Sequence, residues 1–322
     1  MADVCVIGSY VQDLAFSTPT FPAPGETRIG TFQTGPGGKG FNQAVACNRQ
    51  GVSTTFIGAV GDDIFGRGVR DFIASEGLTA HLQKFKEYAS GAASIVVNAS
   101  AENLIVVALG ANDHLSPDYI ADHEESIKGA KVVVCQVENN IAATEKALFL
   151  AGESNAVALL NPAPINDKLS QELVLMSDVL VPNETEFAFL MEHLFGVKLP
   201  DDYWNEDDAT LHGYCCQAEV EVVILTLGDK GCFVSYNENA RRVRGDMRPE
   251  QDFFRVPVVK VSPRDTTGAG DAFSGGLAAG LVRFNLDLKK SLEYATVVAG
   301  LSTEKAGTAP AMPTREEVEA RL

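Results

Sequence analysis

From residue 116 onward the chain alternates short apolar runs with stretches of helical length. The runs at 131–137, 156–160, 178–182, 221–227 and 231–236 read as strands. The stretches 116–128, 141–154, 184–194, 206–218, 270–283, 287–304 and 314–321 read as helices, the last opening on Pro313-Thr314 with acids in its first turn. Strands alternating with helices argue for an α/β domain. Upstream, Val4–Gly8 reads as a short buried strand. Residues 10–35 carry Pro19, Pro22 and Pro24, and 92–110 read as a hairpin, Ala93–Val97 and Leu104–Ala108 around a polar turn. A compact α/β stretch, 41–77, separates these two regions. They read as a small sheet inserted into the main domain, whose exposed face needs a cover.

Residues Asp265-Thr266-Thr267-Gly268-Ala269-Gly270-Asp271 run into the small-residue helix that begins Ala272-Phe273-Ser274-Gly275-Gly276. Small residues at a helix start leave the first N–H groups unobstructed, and those groups with the helix dipole attract an anion. Asp271 stands beside that anion hole. It reads either as a base that deprotonates a nucleophile while the N–H groups hold a transferred group, or as a plain carboxylate serving the dipole.

The 322 residues, 45% of them apolar, suffice for one large core or two unequal ones. A formal charge of −17 disfavours nucleic acid and anionic membrane surfaces, because phosphates need Lys and Arg. A bound nucleotide therefore needs local help from a metal ion, Lys39 and helix N-termini. The six cysteines, at 5, 47, 135, 215, 216 and 232, show no metal spacing and read as reduced thiols of a cytoplasmic protein. No basic, apolar leader opens the sequence, and Val4 to Ile7 is too short to span a membrane. The five histidines are scattered and read as surface or structural. Neither a P-loop nor an early strand–G-x-G-x-x-G–helix unit is present, which disfavours a dinucleotide enzyme.

A second glycine-rich segment, Gly35-Pro36-Gly37-Gly38-Lys39-Gly40-Phe41-Asn42-Gln43, also runs into a small-residue helix. The pair resembles the two signature segments of the ribokinase-like (PfkB-type) sugar kinase family. The likeness extends in order through Val6-Ile7-Gly8-Ser9 with Asp13, Asn161-Pro162-Ala163-Pro164, Asn183-Glu184-Thr185-Glu186, Thr226-Leu227-Gly228-Asp229-Lys230-Gly231 and the closing Gly307 to Pro313. The resemblance implies one three-layer α/β/α domain over residues 1–322. Its small β-sheet lid would come from about 10–40 and 90–112, cover the sugar and often make a homodimer contact.

It also implies an ATP-dependent sugar kinase acting on a primary hydroxyl, with Mg2+ and K+. Asp271 would be the proton acceptor, with Gly268, Ala269 and Gly270 around the transferred phosphoryl group. Asp13, Gly38, Lys39, Asn42 and Glu138 match sugar-binding positions. On residue type alone Asn42 also reads as a helix cap, and Glu138 as a solvated strand end. Asn183, Thr226, Gly228, Gly231 and Gly270 match nucleotide positions. Glu186 would organise magnesium through water, the alternative being a helix cap with a first-turn acid. Asp265, Thr267, Ser302, Lys305 and Gly307 match a monovalent-cation loop, in which Ala311 stands where a Ser is common.

Two departures touch the sugar pocket. Val11 replaces an Asn, and Phe41 replaces an Ala after the glycines. They are expected to reshape the pocket, with Gln12 as a substitute polar partner. They keep fructose, a keto-deoxy sugar acid or a nucleoside open as substrates; a non-catalytic sugar sensor is the rival of another class. Pro200–Asp208, with the only Trp, and 237–258, with Arg241, Arg242, Arg244 and Arg248, read as surface insertions.

Overall fold

The computed structural model describes residues 2–100, 102–237 and 251–322. Thirteen strands lie among them: β1 (Val4–Ile7), β2 (Val11–Ser17), β3 (Thr31–Gly37), β4 (Thr54–Gly61), β5 (Thr79–Phe85), β6 (Gly91–Val97), β7 (Asn103–Ala108), β8 (Val132–Cys135), β9 (Val157–Leu160), β10 (Val179–Leu180), β11 (Val222–Thr226), β12 (Cys232–Tyr236) and β13 (Phe253–Val256). Nine form one sheet in the order β13-β12-β11-β10-β9-β8-β1-β4-β5. It is parallel from β11 to β5, and β12 and β13 add an antiparallel edge.

The central strands explain themselves. A parallel strand covered by helices on both faces has no polar side, so it reads as a continuous apolar run. In β1, Val4 and Val6 enter one core while Cys5 and Ile7 enter the other. In β8, Val132 and Val134 share the first core, and Val133 and Cys135 the second. The first core is closed by the helices Lys39–Arg49, Ala269–Arg283 and Leu288–Ser302, the second by Ile141–Gly152 and Glu184–His193. No disulfide joins the six cysteines, and burial pushes the Cys5 and Cys47 thiols up to about 12. Among the described residues no helix is long and apolar enough to cross a membrane.

The Ala269–Arg283 helix is small-residued because it must approach others closely. A Cβ on Gly275 would lie 2.4 Å from the Gln43 carbonyl oxygen of the Lys39–Arg49 helix, and one on Gly280 would meet Ser291 at 2.8 Å. Glycine at these positions is a packing requirement.

The smaller sheet has the order β3-β2-β6-β7 and is built from the two regions expected. Its outer side carries Phe16 and Phe32, ring centroids 4.9 Å apart, both largely exposed.

Two local expectations are corrected, and one strand was not foreseen. The stretch 116–128 is two short helices, Pro117–Ala121 and Glu124–Lys128. At the break the His123 ring bonds the Tyr119 carbonyl at 2.8 Å, taking an acceptor that a continuing helix would use. The edge strand β5 carries His81, Gln83 and Lys84, and its polarity hid it. Pro200–Asp208 is no mere surface insertion. Tyr203 is fully buried, its hydroxyl donates to the Glu184 carbonyl at 2.9 Å, and its ring packs 5.9 Å from Phe187. The arginine cluster at 241–248 lies outside the described residues.

Candidate active site

In the large sheet, β1 lies between β4 and β8, so successive connections leave it in opposite directions. Open α/β sheets bind ligands in the crevice outside the carboxyl ends of strands at such a reversal. Site candidates and residues of the quoted motifs follow strand ends: Ser9 after β1, Glu138 after β8, Asn161 after β9, Asn183 after β10, and Thr226 ending β11. β10 and β11 are tied at this end by a bridge between Asn183 and Thr226.

Asp271 sits in the first turn of the Ala269–Arg283 helix and is buried. Its Oδ2 accepts from Asn42 Nδ2 at 2.8 Å, and its Oδ1 from Gln43 Nε2 at 3.0 Å. Gln43 has its orientation imposed. Gln136 Nε2 donates to Gln43 Oε1 at 2.7 Å, so the Gln43 amide nitrogen must face the carboxylate. That nitrogen also reaches Asn161 Oδ1 at 3.0 Å, and Asn161 is anchored on the Val181 carbonyl at 2.8 Å. Gly268 has φ 79°, a left-handed turn that suits glycine, and a Cβ on Gly270 would meet open space. Among the described residues no protein acceptor takes the N–H of Gly268, Gly270 or Asp271. The Ala269 N–H differs: it bonds the Thr266 carbonyl at 3.2 Å. Of the three expected donors, two therefore have no protein acceptor and one closes the turn.

The sugar-binding candidates gather around the same carboxylate. Gly38, φ 93°, caps the Lys39–Arg49 helix, and a Cβ there would lie 2.6 Å from the Val11 nitrogen. Glu138 Oε2 accepts from Ser9 Oγ at 2.5 Å and from the Lys39 N–H at 2.9 Å. Burial raises the Glu138 carboxyl, against the opposing pull of Lys39. Burial alone would lower the Lys39 ammonium. The carboxylates of Asp271, Glu138 and Glu186 outweigh it and hold the ammonium above its ordinary value. Asp13, on β2, accepts from Thr308 Oγ at 2.7 Å. Burial, with Glu138, Asp271 and Asp265 adding, pushes its carboxyl up to about 6 although the Thr308 bond opposes this. The buried Asn42 Oδ1 has no partner, a carbonyl kept for something the protein does not supply.

On the far side, Asn183 and Glu186 form a capping box for the Glu184–His193 helix, with bonds of 2.8 and 2.9 Å. The cap uses Glu186 Oε2 and leaves Oε1 free, and burial raises the carboxyl. Gly228 and Gly231 both take positive φ in the turn joining β11 to β12, where a Cβ on Gly231 would lie 2.0 Å from the Val256 carbonyl oxygen. Among the described residues no cluster of three His, Cys, Asp or Glu could hold a metal. A single carboxylate oxygen without a protein donor is a donor type that fits a magnesium ion keeping its water shell.

Asp265 is closed by the N–H groups of Thr267 and Gly307, each at 3.0 Å, which brings three of the five cation-loop candidates together. The other two have their side chains turned elsewhere. Ser302 Oγ donates to the Ala299 carbonyl, Lys305 pairs with Glu317, and the Ser302 carbonyl accepts from the Lys305 N–H at 3.4 Å.

Two expectations about the pocket fail. The Phe41 ring is fully buried among Tyr10, Phe56 and Phe72, with centroids 5.4 to 5.9 Å away, and does not line the sugar crevice. Gln12 cannot replace the missing amide, being bound to Tyr10 Oη, Thr34 Oγ and the Gly35 carbonyl at 2.6 to 2.8 Å. A strand alternates its side chains, so Gln12 faces away from Asp13 while Val11 shares the Asp13 face. The residues that sequence reasoning passed over are Ser9, Gln43, Gln136 and Thr308. Ser9, Gln43 and Thr308 lay inside the quoted motifs; nothing local marked Gln136 as facing the site.

The sequence pattern of the pfkB family carbohydrate kinase matches residues 1–315. The chain is 35% identical to the ribokinase of Haemophilus influenzae, over 97% of this chain and 95% of that one. It is 33% identical to the deoxyribokinase of Salmonella typhi, over 98% and 97%. The solved ribokinase structure from Giardia lamblia superposes with a TM-score of 0.85 at 27% identity, covering all of both chains.

Proposed function

This chain belongs to the pfkB family of carbohydrate kinases and is a ribokinase-like sugar kinase, and from that premise we propose that it transfers the γ-phosphoryl group of ATP to the primary hydroxyl of a pentose. The single observation that carries the mechanism is the carboxylate of Asp271, held on both oxygens by amides next to two unpaired N–H groups. Asp271 accepts the hydroxyl proton as oxygen attacks phosphorus. The N–H groups of Gly268 and Gly270 hold the charge of the transferred group at the helix N-terminus. Asp13, Glu138, Asn42, Gly38 and Lys39 orient the sugar, which is the larger part of what a phosphoryl-transfer site must do. The nucleotide lies along Asn183, Thr226, Gly228 and Gly231. A magnesium ion neutralises phosphate charge when bound, and Glu186 orients its water shell. A potassium ion by Asp265, Thr267 and the carbonyls of Ser302, Lys305 and Gly307 is an activator on this reading.

A second reading concerns the sugar. Val11 is buried on the Asp13 face, and Gln12 is committed elsewhere, so no amide answers a hydroxyl there. A deoxypentose, the class named by the Salmonella relative, fits that apolar position better than ribose. Coupled-assay turnover over ribose, deoxyribose, hexoses, sugar acids and nucleosides decides the substrate. No turnover with any of them would sink the kinase reading in favour of a sugar sensor.

The smaller sheet serves as a lid, and a second copy of the chain covers its outer side. The exposure of Phe16, Phe32, Leu104 and Val106 supports that pairing. Light scattering across a concentration series tests it. Six cysteines without a disulfide, five of them buried, support a cytoplasmic setting.

A further inference from the structure

We propose that Thr308 is a positioning residue for the sugar carboxylate Asp13 and ties it to the phosphoryl-binding turn, an inference that rests on Asp13 being a sugar ligand. Asp13 belongs to the smaller sheet, and Thr308 to the closing segment of the main body, 295 residues away. The Thr308 hydroxyl donates to Asp13 Oδ2 at 2.7 Å and lies 3.3 Å from the Pro36 carbonyl. On the other side the carboxylate rests against the bare Cα of Gly37, where a Cβ would lie 2.3 Å from Oδ2. Thr308 and Gly37 thus clamp the carboxylate in one orientation. Asp13 Oδ1 takes no protein donor among the described residues and is left for a sugar hydroxyl.

The methyl group of Thr308 has a different neighbour. It lies 3.5 Å from where a Cβ on Gly268 would stand, against the turn that opens the Ala269–Arg283 helix. The adjacent Gly307 N–H holds Asp265 of the same turn. One buried side chain therefore bonds the sugar carboxylate with its hydroxyl and fills the space beside the Cα of Gly268 with its methyl. The charged groups facing Asp13 are Glu138, Asp271 and Asp265, all acidic, so the Thr308 hydroxyl is the group that favours the ionised, accepting form.

The two halves of the side chain can be separated. Thr308→Val keeps the shape and removes the hydroxyl; Thr308→Ser keeps the hydroxyl and removes the methyl; Thr308→Ala checks that any loss in Val is not a packing defect. A charge-assisted bond lost from Val and Ala should raise the sugar KM roughly tenfold, with kcat and the KM for ATP within about twofold. The acid limb of sugar kcat/KM should move to higher pH. Ser should keep a sugar KM within about twofold of the parent. Asp13→Asn is assayed alongside. If Asp13→Asn leaves the sugar KM unchanged, both Asp13 and Thr308 lose their assignments. If Asp13→Asn raises it while Val and Ala do not, or if Ser behaves like Val, the role of Thr308 alone is overturned. A fall in melting temperature with an unchanged sugar KM also overturns it.

Discussion

Asn42 Nδ2 donates to Asp271 Oδ2 at 2.8 Å, joining two glycine-rich segments that lie 229 residues apart in the chain. The bond exists because Gly275 lets the Ala269–Arg283 helix lie directly on the Lys39–Arg49 helix. On the proposed mechanism it puts a sugar-binding residue in direct contact with the proton acceptor. Gln43, next in sequence, holds the other carboxylate oxygen, so Asp271 has one orientation before substrate arrives.

If Asp271 is the proton acceptor, Asp271→Asn lowers kcat by roughly 10²-fold or more, in the range for loss of a general base. The affinity for ATP changes little. Steady-state kinetics with the preferred sugar measures both, and a variant with nearly full kcat would reduce Asp271 to a helix-capping acid.

Glu186→Gln should raise the magnesium concentration needed for half-maximal activity while sugar KM stays constant. Gln is also a capping-box residue, so the Glu184–His193 helix keeps its cap and the melting temperature hardly moves. An unchanged magnesium curve at normal rate leaves Glu186 with the cap as its only role.

Val11→Asn restores an amide on the Asp13 face of β2 and should improve kcat/KM for ribose relative to a deoxypentose by up to roughly tenfold, the worth of one neutral hydrogen bond. Both sugars are assayed in both proteins. A parent enzyme that already prefers ribose, and is weakened by the substitution, contradicts the specificity reading of Val11.

The raised Asp13 carboxyl gives stability and activity opposite pH dependences. Its folded value, about 6 against an ordinary 3.8, means that the folded protein takes up a proton which the unfolded chain does not. Its contribution to stability is therefore full below about 4 and lost as pH rises through about 6. Sugar binding needs the ionised form, so kcat/KM falls as pH drops through the same range. Asp13→Asn should be more stable than the parent at pH 7.5, with the gap closing near pH 4.5. Melting temperatures at both values check this; a gap independent of pH contradicts it.

Gly275→Ala forces a methyl group to within 2.4 Å of the Gln43 carbonyl oxygen, so the two helices must part. A loss of about 1–3 kcal/mol is expected from such overpacking. Because Asn42 and Gln43 ride on the displaced helix, kcat should fall as well. Chemical denaturation with parallel kinetics tests the pair, and a loss of stability with no loss of kcat would show that the amide grip on Asp271 is not needed.

The sequence by itself determined the layers and the chemistry-bearing segments. Apolar runs such as Val132 to Cys135 have no polar face and must be buried on both sides. The glycines at 268 and 270 mark a candidate anion-binding turn before any partner is known. These are local properties, carried by residues adjacent in the chain. Only the tertiary structure decided which side chains share the crevice and which do not. Phe41 and Asn42 are neighbours in sequence, yet one ring enters an aromatic core while the other side chain reaches Asp271. Gln12 and Asp13 are likewise neighbours, and the strand sends them to opposite faces. Gln136 carries no local signal, and Thr308 lies in a quoted segment without any sign of its partner. Their roles arise from bonds to Gln43 and Asp13 across 93 and 295 residues. Contacts of that span depend on how helices and sheets settle against one another, and no short stretch of sequence encodes that.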